Sequence, residues 1–110
     1  MSCFVYVLGC SDGSLYAGMT TDWKKRVRLH YYKLPGCAKY TRSREVESIA
    51  ALWEAPDKTA ARKLEARFKL LKKDKKLLLI AAPEKISEYI PALSEYAFVP
   101  VSEAALSDCI

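Results

Sequence analysis

Apolar residues dominate positions 3–10 and 15–19, and the break between them is Ser11-Asp12-Gly13. Two such runs around a turn predict a β-hairpin. A two-residue Asp12-Gly13 loop would put Tyr6 and Tyr16 on opposite faces. A three-residue Ser11-Asp12-Gly13 loop, with Gly13 left-handed, sets Cys10 opposite Ser14, Leu8 opposite Tyr16 and Tyr6 opposite Gly18. Phe4, Tyr6, Leu8, Tyr16, Gly18 and Thr20 then share one face, and Val5, Val7, Leu15, Ala17 and Met19 the other. The second register makes one face uniformly apolar, the condition that fixes register in a half-buried sheet, and it is the one expected. It leaves Tyr6 across from a residue without a side chain and diagonal to Tyr16, so both phenols reach one small volume. A plain aromatic packing pair is the other reading.

The period then changes from two to 3.6. Residues 20–34 predict a helix capped by Thr21 or Asp22, with Trp23, Val27, Tyr31 and Leu34 as its buried stripe. Arg26 and His30 fall together on one shoulder of that stripe, between core and solvent, with Lys33 nearby. Such a position suits groups that touch a ligand; it equally suits a basic face with a satisfied histidine. Residues 36–48 read as a basic loop carrying Lys39, Arg42 and Arg44, with Tyr40 interleaved. Residues 46–55 read as a third, largely buried strand, although Ile49-Ala50-Ala51-Leu52-Trp53 also suits a helix. Residues 56–73 predict the clearest helix, opened by Pro56 and Asp57, with Ala61, Leu64, Phe68 and Leu71 as its stripe. A shorter helix over 74–82 follows.

Composition narrows the class. The chain of 110 residues is 51% hydrophobic and 28% charged, which suits one folded domain. Its longest apolar run, residues 77–82, is far short of the roughly 20 residues that span a bilayer, and no secretory signal is expected. Cys3, Cys10, Cys37 and Cys109 lack CxxC spacing, so reduced thiols in the cytoplasm are expected rather than zinc or disulfides.

The formal charge of +5 is unevenly spread. Residues 1–80 hold 17 basic and 8 acidic side chains, a net of +9, and residues 81–110 a net of −4. A region that basic points to a polyanion, nucleic acid foremost, or to a solvated basic surface. Lys24, Lys25, Lys33, Lys39, Arg42 and Arg44 are the candidate phosphate contacts. Glu65 is the only carboxylate inside the basic helix. It is either an i,i+4 partner of Lys69 or a hard oxygen ligand for Mg²⁺ or Mn²⁺.

Phe4-Val5-Tyr6, Tyr16-Ala17-Gly18, Arg26 with His30 four residues on, and Glu65 on a later helix resemble the GIY-YIG nuclease superfamily. The segment "AKYTR" (38–42) is similar to one found in its small stand-alone bacterial members. The likeness covers roughly residues 3–81. The first glycine and both isoleucines of the motif are replaced, Tyr31 stands where many members have Asn, and the chain contains no Asn.

The resemblance implies an α+β fold with a ββαβα core, a small three-stranded antiparallel sheet flanked by helices, over residues 1–82. It implies a metal-dependent endonuclease hydrolysing phosphodiester bonds in DNA, with repair or recombination as the setting and one Mg²⁺ or Mn²⁺ as cofactor. Tyr6 would take the proton from the attacking water, a role that requires its ordinary pKa near 10 to be lowered. Tyr16 and His30 would orient water and phosphate, Arg26 would stabilise developing charge, and Glu65 would hold the metal. A monomer or weak homodimer is expected, with no membrane partner. The rival functions are a weak or inactive nucleic-acid-binding module of the same fold, and a protein-interaction role. Residues 83–110 form an acidic extension, too apolar for a linker, expected to pack on the core or on a second copy of the chain; either it only completes the core, or its charge also competes with phosphate for the basic surface.

Overall fold

The computed structural model describes residues 3–101 and 105–110; Glu103 of the acidic extension and the side chain of Tyr40 lie outside the described set. Gly13 decides the hairpin. Its φ of +83° lies in the left-handed region that glycine adopts without strain. The Cys10 N–H donates to Ser14 O and the Gly13 N–H to Cys10 O, each at 2.9 Å, closing a three-residue loop. Asp12 supports it by accepting from the Ser14 N–H at 3.0 Å. Strands β1 (Cys3–Cys10) and β2 (Leu15–Thr20) therefore pair with Tyr6 opposite Gly18 and Leu8 opposite Tyr16, the expected register.

β3 (Val46–Ala55) pairs antiparallel with the other edge of β1. The sheet has four strands, not three, in the order β2-β1-β3-β4. The added strand, β4 (Val99–Pro100), comes from the acidic extension and lies against Trp53 and Glu54. The Val101 N–H donates to Leu52 O at 2.8 Å. Sequence periodicity misses a two-residue strand because its partner is some 46 positions away.

Helices cover both faces. On one, Val5, Val7, Ala17, Ala51 and Trp53 pack against Ala60, Ala61, Leu64 and Phe68 of α3 (Lys58–Leu70) and Leu79 of α4 (Lys73–Ala81). Ile86 of α5 (Ile86–Tyr89), Ile90 and Leu93 complete this core, and Trp53 Nε1–H donates to Pro83 O at 3.0 Å. Asp57 caps α3 by accepting from the Ala60 N–H at 2.8 Å. Leu71 lies just past α3 in extended backbone, still packed against the core but no longer on the helical stripe. On the other face, Tyr6, Leu8, Val46 and Leu52 meet Val27 of α1 (Trp23–Tyr31) and Cys109.

α1 is shorter than its apolar pattern suggests, and this matters for the site. It starts after Asp22, which accepts from the Lys25 N–H, and ends at Tyr31. Lys33 turns left-handed at φ +54°, and Leu34 precedes Pro35, a position that disfavours helix. Leu34 is consequently 42% exposed, and its expected place on the buried stripe falls to His30, which has no exposed surface. The basic loop also contains a helix, α2 (Lys39–Arg42), held partly by the Thr41 hydroxyl donating to the Ala38 carbonyl at 3.1 Å.

Candidate active site

The pairing register places Tyr6 and Tyr16 on the sheet face beneath α1, with ring centroids 6.4 Å apart. Gly18 makes room for this arrangement. A Cβ there would sit 2.5 Å from Tyr6 Cζ, so the phenol lies directly over the glycine backbone. His30 descends from α1 beside both rings, 5.8 Å from the Tyr6 centroid and 5.2 Å from that of Tyr16. Its Nε2 lies 2.9 Å from Tyr6 Oη and its Nδ1 2.8 Å from Thr41 Oγ1.

Proton positions follow from counting donors. The Arg26 guanidinium lies close enough to the Tyr6 hydroxyl to draw its pKa down, and it can only donate. Among the described contacts, His30 Nε2 is the acceptor within reach of the phenolic proton. The Thr41 hydroxyl donates to Ala38 O, which leaves its oxygen open to accept from His30 Nδ1. One chain of bonds results, running from Tyr6 through His30 and Thr41 to Ala38.

Electrostatics bring in the remaining groups. Burial pushes Tyr6 up to about 12; Arg26 draws it partly back, while Tyr16 and Glu65 push it further. Tyr16 is raised by burial, and it too lies within the influence of Arg26 and Glu65. Burial, reinforced by the Arg26 charge, lowers His30 to about 4. The resting protein thus holds neutral phenols and a neutral imidazole. Desolvation outweighs the guanidinium, so the lowering that a Tyr6 base requires does not come from Arg26 alone. The structure also moves His30 from the shoulder of α1 to its fully buried face.

Glu65 belongs to α3 but is close enough for its charge to act on both phenols. Its carboxylate lies 3.4 Å from Lys69 Nζ. No group of three His, Cys, Asp or Glu side chains that could hold a metal occurs among the described residues. A single carboxylate beside an arginine fits a divalent ion only if water and substrate phosphate supply the other oxygens. That is the usual manner in which Mg²⁺ is held.

The candidate phosphate contacts divide into two groups. Lys24, Lys25, Lys39 and Arg42 are exposed. Lys25 and Arg26 line a shallow recess with Thr20, Thr21, Asp22 and Leu29 at the start of α1, next to the tyrosines. Lys33 and Arg44, by contrast, tie the α2 segment to its surroundings. Arg44 Nε pairs with Asp12 at 3.2 Å, and Lys33 Nζ donates to Arg44 O at 3.0 Å and lies 3.6 Å from Glu45. Thr41 is the site residue that sequence reasoning missed. The segment around it stood out, but nothing local tells a buried threonine from an exposed one.

A mixed sheet-and-helix domain that carries paired phenols, an arginine, an imidazole and one carboxylate beside a basic recess defines the class. The family model for the GIY-YIG catalytic domain matches residues 2–77, and the chain belongs to this family, a nuclease superfamily. The UPF0213 protein BH0048 of Halalkalibacterium halodurans is 40% identical over 81 residues, covering 74% of this chain and 84% of its own. A UPF0213 protein of Streptococcus sanguinis is 43% identical over 77 residues, covering 70% and 86%. A solution NMR structure of UPF0213 protein BH0048 from Bacillus halodurans, 34% identical, covers 82% of this chain and 97% of that one with a TM-score of 0.47. No helix among the described residues is long and apolar enough to cross a membrane.

Proposed function

We propose that the protein is a divalent-metal-dependent endonuclease that hydrolyses phosphodiester bonds in DNA, acting in the cytoplasm in repair or recombination as a monomer or weak homodimer. The observation that carries this reading is the Tyr6–His30 hydrogen bond, with the Arg26 and Glu65 charges beside it. Four free, buried cysteines suit a reducing compartment.

A phenol raised to about 12 is a poor base if it must first ionise. It need not ionise. As an attacking water passes a proton to Tyr6 Oη, the phenolic proton moves to His30 Nε2, leaving hydroxide to attack phosphorus and an imidazolium on His30. The phosphate's negative charge offsets the imidazolium, which the empty-handed protein disfavours. Arg26 neutralises charge growing on the nonbridging oxygens, an effect often worth about 3 kcal/mol. Tyr16, beside the imidazole, orients water or phosphate. Glu65 would hold Mg²⁺ or Mn²⁺. When bound, the ion supplies Lewis-acid stabilisation of a nonbridging and the leaving oxygen.

The reading is tested by incubating purified protein with supercoiled plasmid, branched DNA and RNA, with and without Mg²⁺ or Mn²⁺. Nicking that needs the ion and disappears in Glu65→Ala is expected. Salt-sensitive binding without cleavage would instead make it a binding module, a reading favoured by the Glu65–Lys69 ion pair. Neither binding nor cleavage would leave the protein-interaction role.

A further inference from the structure

Thr41 is fully buried, lies eleven residues from His30 in sequence and reaches no surface from which it could touch substrate. Its hydroxyl nevertheless meets both the His30 Nδ1, at 2.8 Å, and the Ala38 carbonyl, at 3.1 Å. We propose that Thr41 is a positioning residue that locks His30 in the tautomer protonated on Nδ1, keeping Nε2 bare as the acceptor of the Tyr6 proton.

Donor counting leads to this from both ends. A hydroxyl has one proton and two acceptor sites. Donating to Ala38 makes Thr41 an acceptor toward His30, which places the ring proton on Nδ1. At the other end, the buried Tyr6 hydroxyl carries a proton that needs an acceptor, and Nε2 lies 2.9 Å away. The opposite tautomer would point the Nε2 proton at Tyr6 Oη and strand the phenolic proton in a buried site. A stranded donor of that kind is strongly disfavoured away from water. A partner that fixes imidazole orientation and protonation through its far nitrogen recurs wherever histidine must present a defined face. The catalytic consequence rests on the nuclease reading; the tautomer does not.

A single histidine in the chain makes the measurement direct. Protein labelled with ¹⁵N is examined by long-range ¹H–¹⁵N correlation at pH 7.5 as wild type, Thr41→Ser and Thr41→Val. Wild type and Thr41→Ser are expected to show a protonated Nδ1 and a bare Nε2. Thr41→Val, nearly isosteric, is expected to lose that pattern. If wild type nicks DNA, Thr41→Val should fall by about tenfold, less than the roughly 100-fold lost with an acid–base group itself, and Thr41→Ser should restore it. A protonated Nε2 in wild type overturns the proposal, as does an unchanged pattern in Thr41→Val. Should Thr41→Val fail to fold, the wild-type and serine spectra still decide. The expected tautomer in a protein that cuts nothing would uphold the proposal and reject the nuclease reading alone.

Discussion

Tyr6 Oη lies 2.9 Å from His30 Nε2 although the two residues are 24 positions apart, and both side chains are closed to solvent. Removing the hydroxyl as Tyr6→Phe deletes the atom through which a water proton would reach the imidazole. Nicking should fall about 100-fold or more. Leaving Nε2 unpaired should also cost about 1–3 kcal/mol of stability, read by urea denaturation. Unchanged nicking would remove Tyr6 from the reaction.

The depressed pKa of His30 has a defined consequence for stability. Unfolded, the imidazole takes a proton near its ordinary 6.5; folded, it refuses one until about pH 4. Between those values the unfolded state binds more protons, so stability rises with pH. The contribution is complete above about pH 6.5 and is lost as pH falls toward 4, by on the order of 3 kcal/mol in all. Urea denaturation at a series of pH values should show a shallower dependence in His30→Gln than in wild type. Identical slopes would mean that His30 titrates normally.

Metal affinity should depend on substrate. One carboxylate, engaged by Lys69, is a weak ligand set, so calorimetry should detect little Mg²⁺ binding to the protein alone and more when a noncleavable phosphodiester is present. Lys69→Gln removes the competing cation and should tighten that binding only about twofold, since an exposed i,i+4 pair is weak. Tight binding that survives Glu65→Gln would identify a different ligand set.

Affinity for DNA should rest on Lys24, Lys25, Lys39 and Arg42, each substitution lowering the log–log salt slope by about 0.9 if that residue meets one phosphate. Arg44→Ala should behave differently, because its guanidinium is tied to Asp12. It should loosen the link between the α2 segment and the hairpin, shifting stability by less than about 1 kcal/mol, with little change in salt slope. Equal effects at all five positions would show that Arg44 leaves Asp12 for phosphate.

A structural and an electrostatic role of the acidic extension can be tested separately. Leu93 is 1% exposed within the main core, so Leu93→Ala should cost about 2–5 kcal/mol. Asp108 shares a recess with Lys24, Lys25 and Arg28 of α1, and Glu95 lies 4.0 Å from Lys63. If the extension competes with phosphate, Asp108→Asn should speed DNA association about twofold at low salt, and the gain should vanish at high salt. An unchanged low-salt rate would eliminate the competition.

Local chemistry determined a good deal of this protein by itself. Alternation of apolar residues together with a glycine able to turn left-handed settled the hairpin register, and with it the common face of Tyr6 and Tyr16. The 3.6-residue stripe of Ala61, Leu64 and Phe68 defined α3 and put Glu65 on its flank. These outcomes depend on contacts within a few residues, so short-range periodicity carries them. Packing decided the rest. Only the folded chain shows α1 ending at Tyr31, which turns Leu34 outward and His30 inward. It alone brings Thr41 beneath the imidazole, withdraws Lys33 and Arg44 into tethers and adds β4 to the sheet. Whether Tyr6 is acidic or inert was likewise a tertiary matter, because the balance between desolvation and a neighbouring guanidinium exists only once both are buried together.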